Sequence, residues 1–160
     1  MNSNELKFVQ CEKDNKAHRD ILLKMVIPYF EEIYTDCEDN SSGIPSHENT
    51  VKFSDGMIDM QGADDRHLEL CYEKDTPIGF FHIMADHEDK PGYGFVMEFY
   101  VLPKYRRCGI GKKMFHRIET LFDIYGVTKL YLNSDTFTGI PFFESLGFEN
   151  IEGQRFEKIK

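Results

Sequence analysis

The rhythm of apolar and polar positions changes several times along the chain and divides it into elements. ELKFVQC, residues 5–11, alternates weakly and predicts a strand. From about Lys16 to Asp36, Ile21, Leu22, Met25 and Ile33 recur at helical spacing, and Pro28 is expected to kink or break that helix. Residues 38–62 are polar and irregular, with a short helix expected near Glu48–Phe53. His67–Glu73 alternates, with Leu68, Leu70 and Tyr72 on one face. The turn Lys74–Pro77 leads into IGFFHIMA, so the two runs predict an antiparallel hairpin. After a second turn near Lys90–Gly94 comes FVMEFYVL, residues 95–102, apolar except for Glu98, as in a strand covered on both faces. A helix is expected from about Gly109 to Tyr125, with Ile110, Met114, Ile118, Leu121, Phe122 and Tyr125 as its core face and Gly126 at its C-terminal cap. KLYLN predicts a further strand, and Thr138 is placed to cap a helix from Gly139 to Leu146. FENIEGQRFEKIK supplies one or two last strands. Strand, helices, a three-strand meander, helix, strand, helix and strand make an α+β (mixed α/β) fold, expected as one domain over residues 1–160.

Composition narrows the function. A net charge of −9 argues against nucleic acid or an anionic membrane as partner. No apolar run is long enough to span a membrane, and MNSNELKFVQCEKDNK lacks a signal-peptide pattern. The four cysteines are scattered without a CxxC pair, which fits reduced thiols in a cytoplasm. His82, His87 and His116 show no ligand spacing and His67 stands alone, so no metal site is expected. The acidic run Glu31, Glu32, Asp36, Glu38, Asp39 reads either as a solvated helix face or as an attractor for a cationic acceptor. Tyr29, Phe30 and Tyr34 read as core, or as the wall of an acceptor pocket.

The junction YVLPKYRRCGIGKK, residues 100–113, carries the chemistry. A helix N-terminus presents free N–H groups and about half a positive charge. Gly109 and Gly111 let a ligand approach the backbone, and Arg106 and Arg107 add cationic donors. Together they describe a phosphate or diphosphate cradle. The run lacks the GxxxxGK[ST] of a nucleotide P-loop and the GxGxxG of a dinucleotide fold.

This stretch resembles the acyl-CoA signature of the GNAT superfamily of N-acetyltransferases, [QR]xxGx[GA], which Arg106, Gly109 and Gly111 match. IPFFESLGF, residues 140–148, resembles the family's last helix and turn. The resemblance implies a central, mostly antiparallel mixed sheet flanked by helices, with two central strands splayed apart. It implies that the amides of Arg107, Cys108, Gly109, Ile110, Gly111 and Lys112 hold the diphosphate of acetyl-CoA. The backbone of Phe99, Val101 and Leu102 would line the pantetheine arm, Asn133 and Thr138 would border it from the other side, and Phe142 would also belong to the coenzyme site. The reaction implied is transfer of an acetyl group to a primary amine of a small molecule or peptide, and a homodimer paired through an exposed strand is compatible with the family.

An alkylamine must lose a proton before it attacks a thioester, so a base is useful. Glu98 is the candidate, since a carboxylate in an apolar strand has a raised pKa; the other reading is an outward-facing or ion-paired carboxylate. By the family's geometry the Val101 amide is the oxyanion donor. Two departures stand out. The glutamate of polyamine-specific relatives falls at Met97 here, so Glu98 needs a local bulge to regain the face. The tyrosine acid of many relatives is replaced by Phe143, leaving Tyr100, a water or no acid at all, and the usual Asn before that helix is Thr136. A CoA-binding regulatory module with weak or no turnover is the alternative. Cys108 is a poor nucleophile for a distant thioester, which favours direct attack.

Overall fold

The computed structural model describes residues 5–39, 41–61, 63, 65–86 and 89–160; His87 lies outside the described residues. Strand β1 (Leu6–Gln10) is followed by α1 (Lys16–Ile33) and α2 (His47–Asp59). Then come β2 (Arg66–Glu73), β3 (Thr76–Asp86) and β4 (Tyr93–Val101), a 3-10 turn at Pro103–Tyr105, α3 (Ile110–Ile124), β5 (Lys129–Asn133), α4 (Gly139–Ser145), β6 (Glu149–Glu152) and β7 (Arg155–Ile159). The expected α+β class and element order are borne out.

The strands form one sheet ordered β1-β2-β3-β4-β5-β7-β6. All pairings are antiparallel except β4 with β5. That parallel pair spans only Tyr93↔Lys129, Gly94↔Leu130 and Phe95↔Tyr131, and beyond it the two strands separate. The implied splay is therefore present.

Each face of the sheet has its own core. Leu22, Met25, Val26, Tyr29 and Phe30 of α1 and Met57 and Ile58 of α2 pack on Leu68, Leu70, Phe80 and Tyr100. On the other face Ile110, Met114, Phe115, Ile118 and Phe122 of α3 and Phe143 of α4 pack on Cys71, Phe81, Ile83, Val96 and Leu132. Burial of both faces explains the nearly uniform apolar run of β4.

Three local expectations change. Helix α1 runs unbroken through Pro28, because Tyr29 and Phe30 beyond the proline are anchored in the core. Helix α2 reaches well past the short helix expected near Glu48–Phe53, capped by Ser46, whose side chain accepts from the Asn49 N–H at 3.2 Å. Thr138 precedes α4 but makes no side-chain cap; Thr136 accepts the Gly139 N–H instead, at 3.0 Å.

One ion pair crosses a core. Glu69 on β2, buried beneath α3, accepts two hydrogen bonds from Arg117, at 2.8 and 3.0 Å. Its side chain is 3% exposed, so losing the arginine strands a buried charge. Arg117→Met is expected to cost about 3 kcal/mol in urea unfolding, and the pair Glu69→Gln with Arg117→Met to recover much of that loss.

Candidate active site

A cleft of about 710 Å³ opens where β4 and β5 part. It passes through the sheet: Tyr29, Glu32 and Ile33 of α1 line one side, and Gly109, Gly111, Lys112 and Phe142 the other. Two elements of sequence create it. The first is the short β4–β5 pairing. The second is a bulge in β4, where His82 faces Glu98 and Ile83 faces Val96, leaving Met97 as the extra residue. Val96 consequently packs in the α3 core, whereas Glu98 turns toward α1.

The backbone of β4 faces the gap. Leu102 donates its N–H to Ile78 O at 2.8 Å, so antiparallel alternation turns the N–H groups of Phe99 and Val101 away from β3. The Val101 carbonyl also points that way, accepting Arg106 Nε at 2.8 Å. Leu102 itself lies outside the cleft, packed against the α1–α2 core.

The loop after β4 is built around two residues with left-handed backbones, Arg107 at φ 63° and Gly109 at φ 85°. The first helical bond of α3 runs from Lys113 N–H to Gly109 O, at 3.1 Å. The N–H groups of Ile110, Gly111 and Lys112 therefore have no acceptor within the helix. A Cβ at Gly109 would meet nothing within 4 Å, so the space before the helix is open. At Gly111 a Cβ would come within 3.0 Å of the Phe142 ring, so α3 and α4 approach closely there. These features fit a diphosphate. Arg106, Arg107, Gly109, Gly111 and Lys112 line the cleft. Ile110 is a core residue, and Cys108 lies outside the lining, its thiol directed to Tyr105 O at 3.0 Å.

Arg106 is also paired with α1. Its Nη1 and Nη2 donate to the two oxygens of Glu32 at 2.6 and 2.7 Å, and its guanidinium lies 5.5 Å from the centre of the Tyr100 ring. It ties the loop to α1, and its charge is balanced there. Asp36, just after α1, reaches the opposite wall, accepting the Thr138 N–H at 3.0 Å and its hydroxyl at 2.5 Å. Two members of the acidic run thus bridge the cleft mouth.

Phe99 stacks on Phe142 with centroids 5.4 Å apart and meets Phe143 edge-on at 6.0 Å. Asn133 and Thr138 line the β5–α4 side, together with Asp135 and Phe137, which sequence reasoning did not single out. Phe143 sits in the α3 core and brings no hydroxyl. Tyr100 lines the cleft with its ring between Tyr29 and Phe80, at 5.3 and 6.1 Å. Its hydroxyl is buried without a partner among the described residues, and burial raises its pKa.

Glu98 is half-buried, and Tyr29 donates a hydrogen bond to its Oε2. Burial raises the Glu98 pKa to about 7, partly opposed by that hydrogen bond. Glu98 does not itself line the cleft; Tyr29 does. Tyr29 is both of the things its sequence position allowed, a core residue on the face of Leu22 and Val26 and a wall of the cleft. Among the described residues, no cluster of three or more His, Cys, Asp or Glu side chains could hold a metal ion.

A model of the acetyltransferase (GNAT) family matches residues 27–148. N-alpha-acetyltransferase 50 of Danio rerio is 28% identical over 90 residues, which span 54% of this chain and 54% of that protein, about half its length. An acetyltransferase of Thermus thermophilus superposes with a TM-score of 0.75 at 16% identity, over 100% of both chains. The PaiA N-acetyltransferase of Thermoplasma acidophilum, in complex with coenzyme A, gives 0.70 at 17% identity over 98% of this chain and 99% of that one. At such identities the solved structures speak for the fold alone, while the matched segment, most of the sequence, speaks for descent. The chain belongs to the acetyltransferase (GNAT) family.

The raised pKa of Glu98 has a consequence for stability. Its ordinary value is 4.5 and its folded value about 7, so between those pH values the unfolded chain releases a proton that the folded chain keeps. Stability is lost as pH rises through that window. Glu98→Gln removes the loss: thermal melts are expected to show the variant more stable than wild type at pH 8, by at most about 3 kcal/mol, with the gap closing toward pH 4.5.

Proposed function

We propose that this chain transfers the acetyl group of acetyl-CoA to the primary amine of a small molecule or peptide, by direct attack within a ternary complex. The observation that carries the reading is the cleft itself. One opening through the sheet joins a helix N-terminus with free amides to Tyr29, whose hydroxyl holds the half-buried Glu98 carboxylate. A diphosphate ester and an amine could thus meet across the gap from opposite faces.

Each group has a task in this reading. The amides of Arg107–Lys112 and the Lys112 side chain bind the diphosphate, and Gly109 supplies the backbone shape. Phe99 and Phe142 flank the arm, with Asn133 and Thr138 opposite. The Val101 N–H, turned into the gap, is the donor available to a carbonyl oxygen there. Glu98, poised near neutrality, holds the proton that the amine must give up. Asp135 on the cleft wall and Asp36, which accepts from Thr138, put negative charge on the β5–α4 side, which favours a cationic acceptor there. The free thiols Cys11, Cys37, Cys71 and Cys108 suit a reducing compartment, so a cytoplasmic enzyme is proposed; among the described residues no helix is long and apolar enough to cross a membrane. Phe143 favours one second reading, a CoA-binding module without turnover.

Thiol release from acetyl-CoA with a panel of amines separates the two. The enzyme reading expects turnover whose kcat/KM rises with pH through about 7, because Glu98 must be ionised to accept a proton. Glu98→Gln is expected to lower kcat by about 100-fold and abolish that limb, leaving CoA affinity by calorimetry unchanged. CoA binding with no thiol release from any amine would establish the regulatory reading instead.

A further inference from the structure

We propose that the Tyr29 hydroxyl, and not the Glu98 carboxylate, is the group that meets the acceptor amine, relaying the amine's proton to Glu98. The inference rests on the acetyl-transfer reading above and deepens it. Tyr29 lines the cleft and Glu98 does not, so the phenol stands between an amine in the cleft and the carboxylate it donates to. The hydroxyl already donates to Glu98 Oε2, so the second leg of the relay is formed before any acceptor arrives. The bulge at Met97 is what turns Glu98 toward α1 and makes the pairing possible.

The phenol is held in place on all sides. Its ring meets Phe80 edge-on at 5.6 Å and lies 5.3 Å from Tyr100 and 5.9 Å from Phe30. The surrounding titratable groups leave Glu98 as the proton's destination. Opposite it on β3 is His82, whose pKa burial and Arg66 lower to about 4, so it is neutral at working pH. Glu32 of α1 and Tyr34 at its C-terminal cap lie near Tyr29, and Glu32 is occupied by Arg106, whose guanidinium also covers Tyr100. Burial and the nearby Glu98 carboxylate raise the Tyr29 pKa well above its ordinary value, so a free phenolate does not accumulate. The phenol accepts a proton only as it gives its own away.

The step balances. An ammonium acceptor passes one proton to the Tyr29 oxygen while the Tyr29 proton moves to Glu98. The freed lone pair forms the N–C bond to the acetyl carbon. The C–S bond breaks, and the departing thiolate takes the second proton of the former amine. Glu98 then returns its proton to solvent, leaving amide, CoA thiol and one released proton.

The test is Tyr29→Phe in the full chain, with acetyl-CoA and an amine the wild type accepts. The ring contacts remain and only the hydroxyl is lost. Thiol release is expected to fall by about 100-fold in kcat, with CoA affinity within about twofold of wild type. The residual activity should rise with pH at a higher pH than in wild type, because the carboxylate has lost the donor that stabilised its charge. A fall of less than about tenfold, or an unmoved pH limb, overturns the relay. Should Tyr29→Phe fail to bind CoA, 3-fluorotyrosine at position 29 replaces it, keeping ring and hydroxyl while lowering the phenol pKa. A changed kcat and pH profile then supports the relay, and values identical to wild type overturn it. A wild type that turns over beside an equally active Tyr29→Phe sinks the relay alone. A wild type that releases no thiol with any amine sinks the acetyl-transfer reading and the relay with it.

Discussion

The structure depends on two parallel strands that pair briefly and then part. Strands β4 and β5 share three residue pairs before they diverge, and the ladder that would continue between them is absent. Backbone groups left this way usually cost about 1–3 kcal/mol each when they are buried without partners. Here they face a cleft, and one carbonyl, that of Val101, is taken by Arg106. A sheet with two buried faces can hold such a gap only because separate cores fix the strands from above and below. The opening is therefore built into the fold, available to a ligand that supplies the missing partners.

The end of α1 governs the other side of the gap. Glu32 grips Arg106 on the β4–α3 loop, and Asp36 grips Thr138 on the β5–α4 loop. The isolated bridge between Cys37 and Thr136 adds a backbone link to the second of these. Helix α1 thus serves three purposes at once: it buries one face of the sheet, spans the cleft mouth and delivers Tyr29 to Glu98. The strong amphipathic patterning of the chain builds the frame, and a handful of charged and hydroxyl groups at its break make the site.

How much of this was visible beforehand follows from which interactions are local. The hairpin of β2 and β3, the buried run of β4 and the α3 face are set by periodicity, and all were legible. The glycine-marked start of α3 was legible too, because Gly109 holds a left-handed backbone that favours glycine. Helix α2 was shortened because Thr50 and Ser54 occupy buried positions that a hydrophobicity pattern expects to be apolar. Pro28 does not break α1, because packing beyond it outweighs its local penalty. The pairs Tyr29–Glu98 and Glu32–Arg106 join residues 69 and 74 positions apart, and neither leaves a local signal. The carboxylate partner of Arg106 in particular lies on a distant helix. The bulge at Met97 was recognised as a need created by the position of Glu98, but only the β3–β4 register shows it is there.

The central claim is that free amides at the start of α3 and along the exposed edge of β4 receive coenzyme A. Backbone amide resonances followed during titration with CoA test this directly. The largest shifts are expected at Arg107–Lys112, with a second set at Phe99 and Val101. Shifts confined to other parts of the chain, or none with CoA at millimolar concentration, would contradict it.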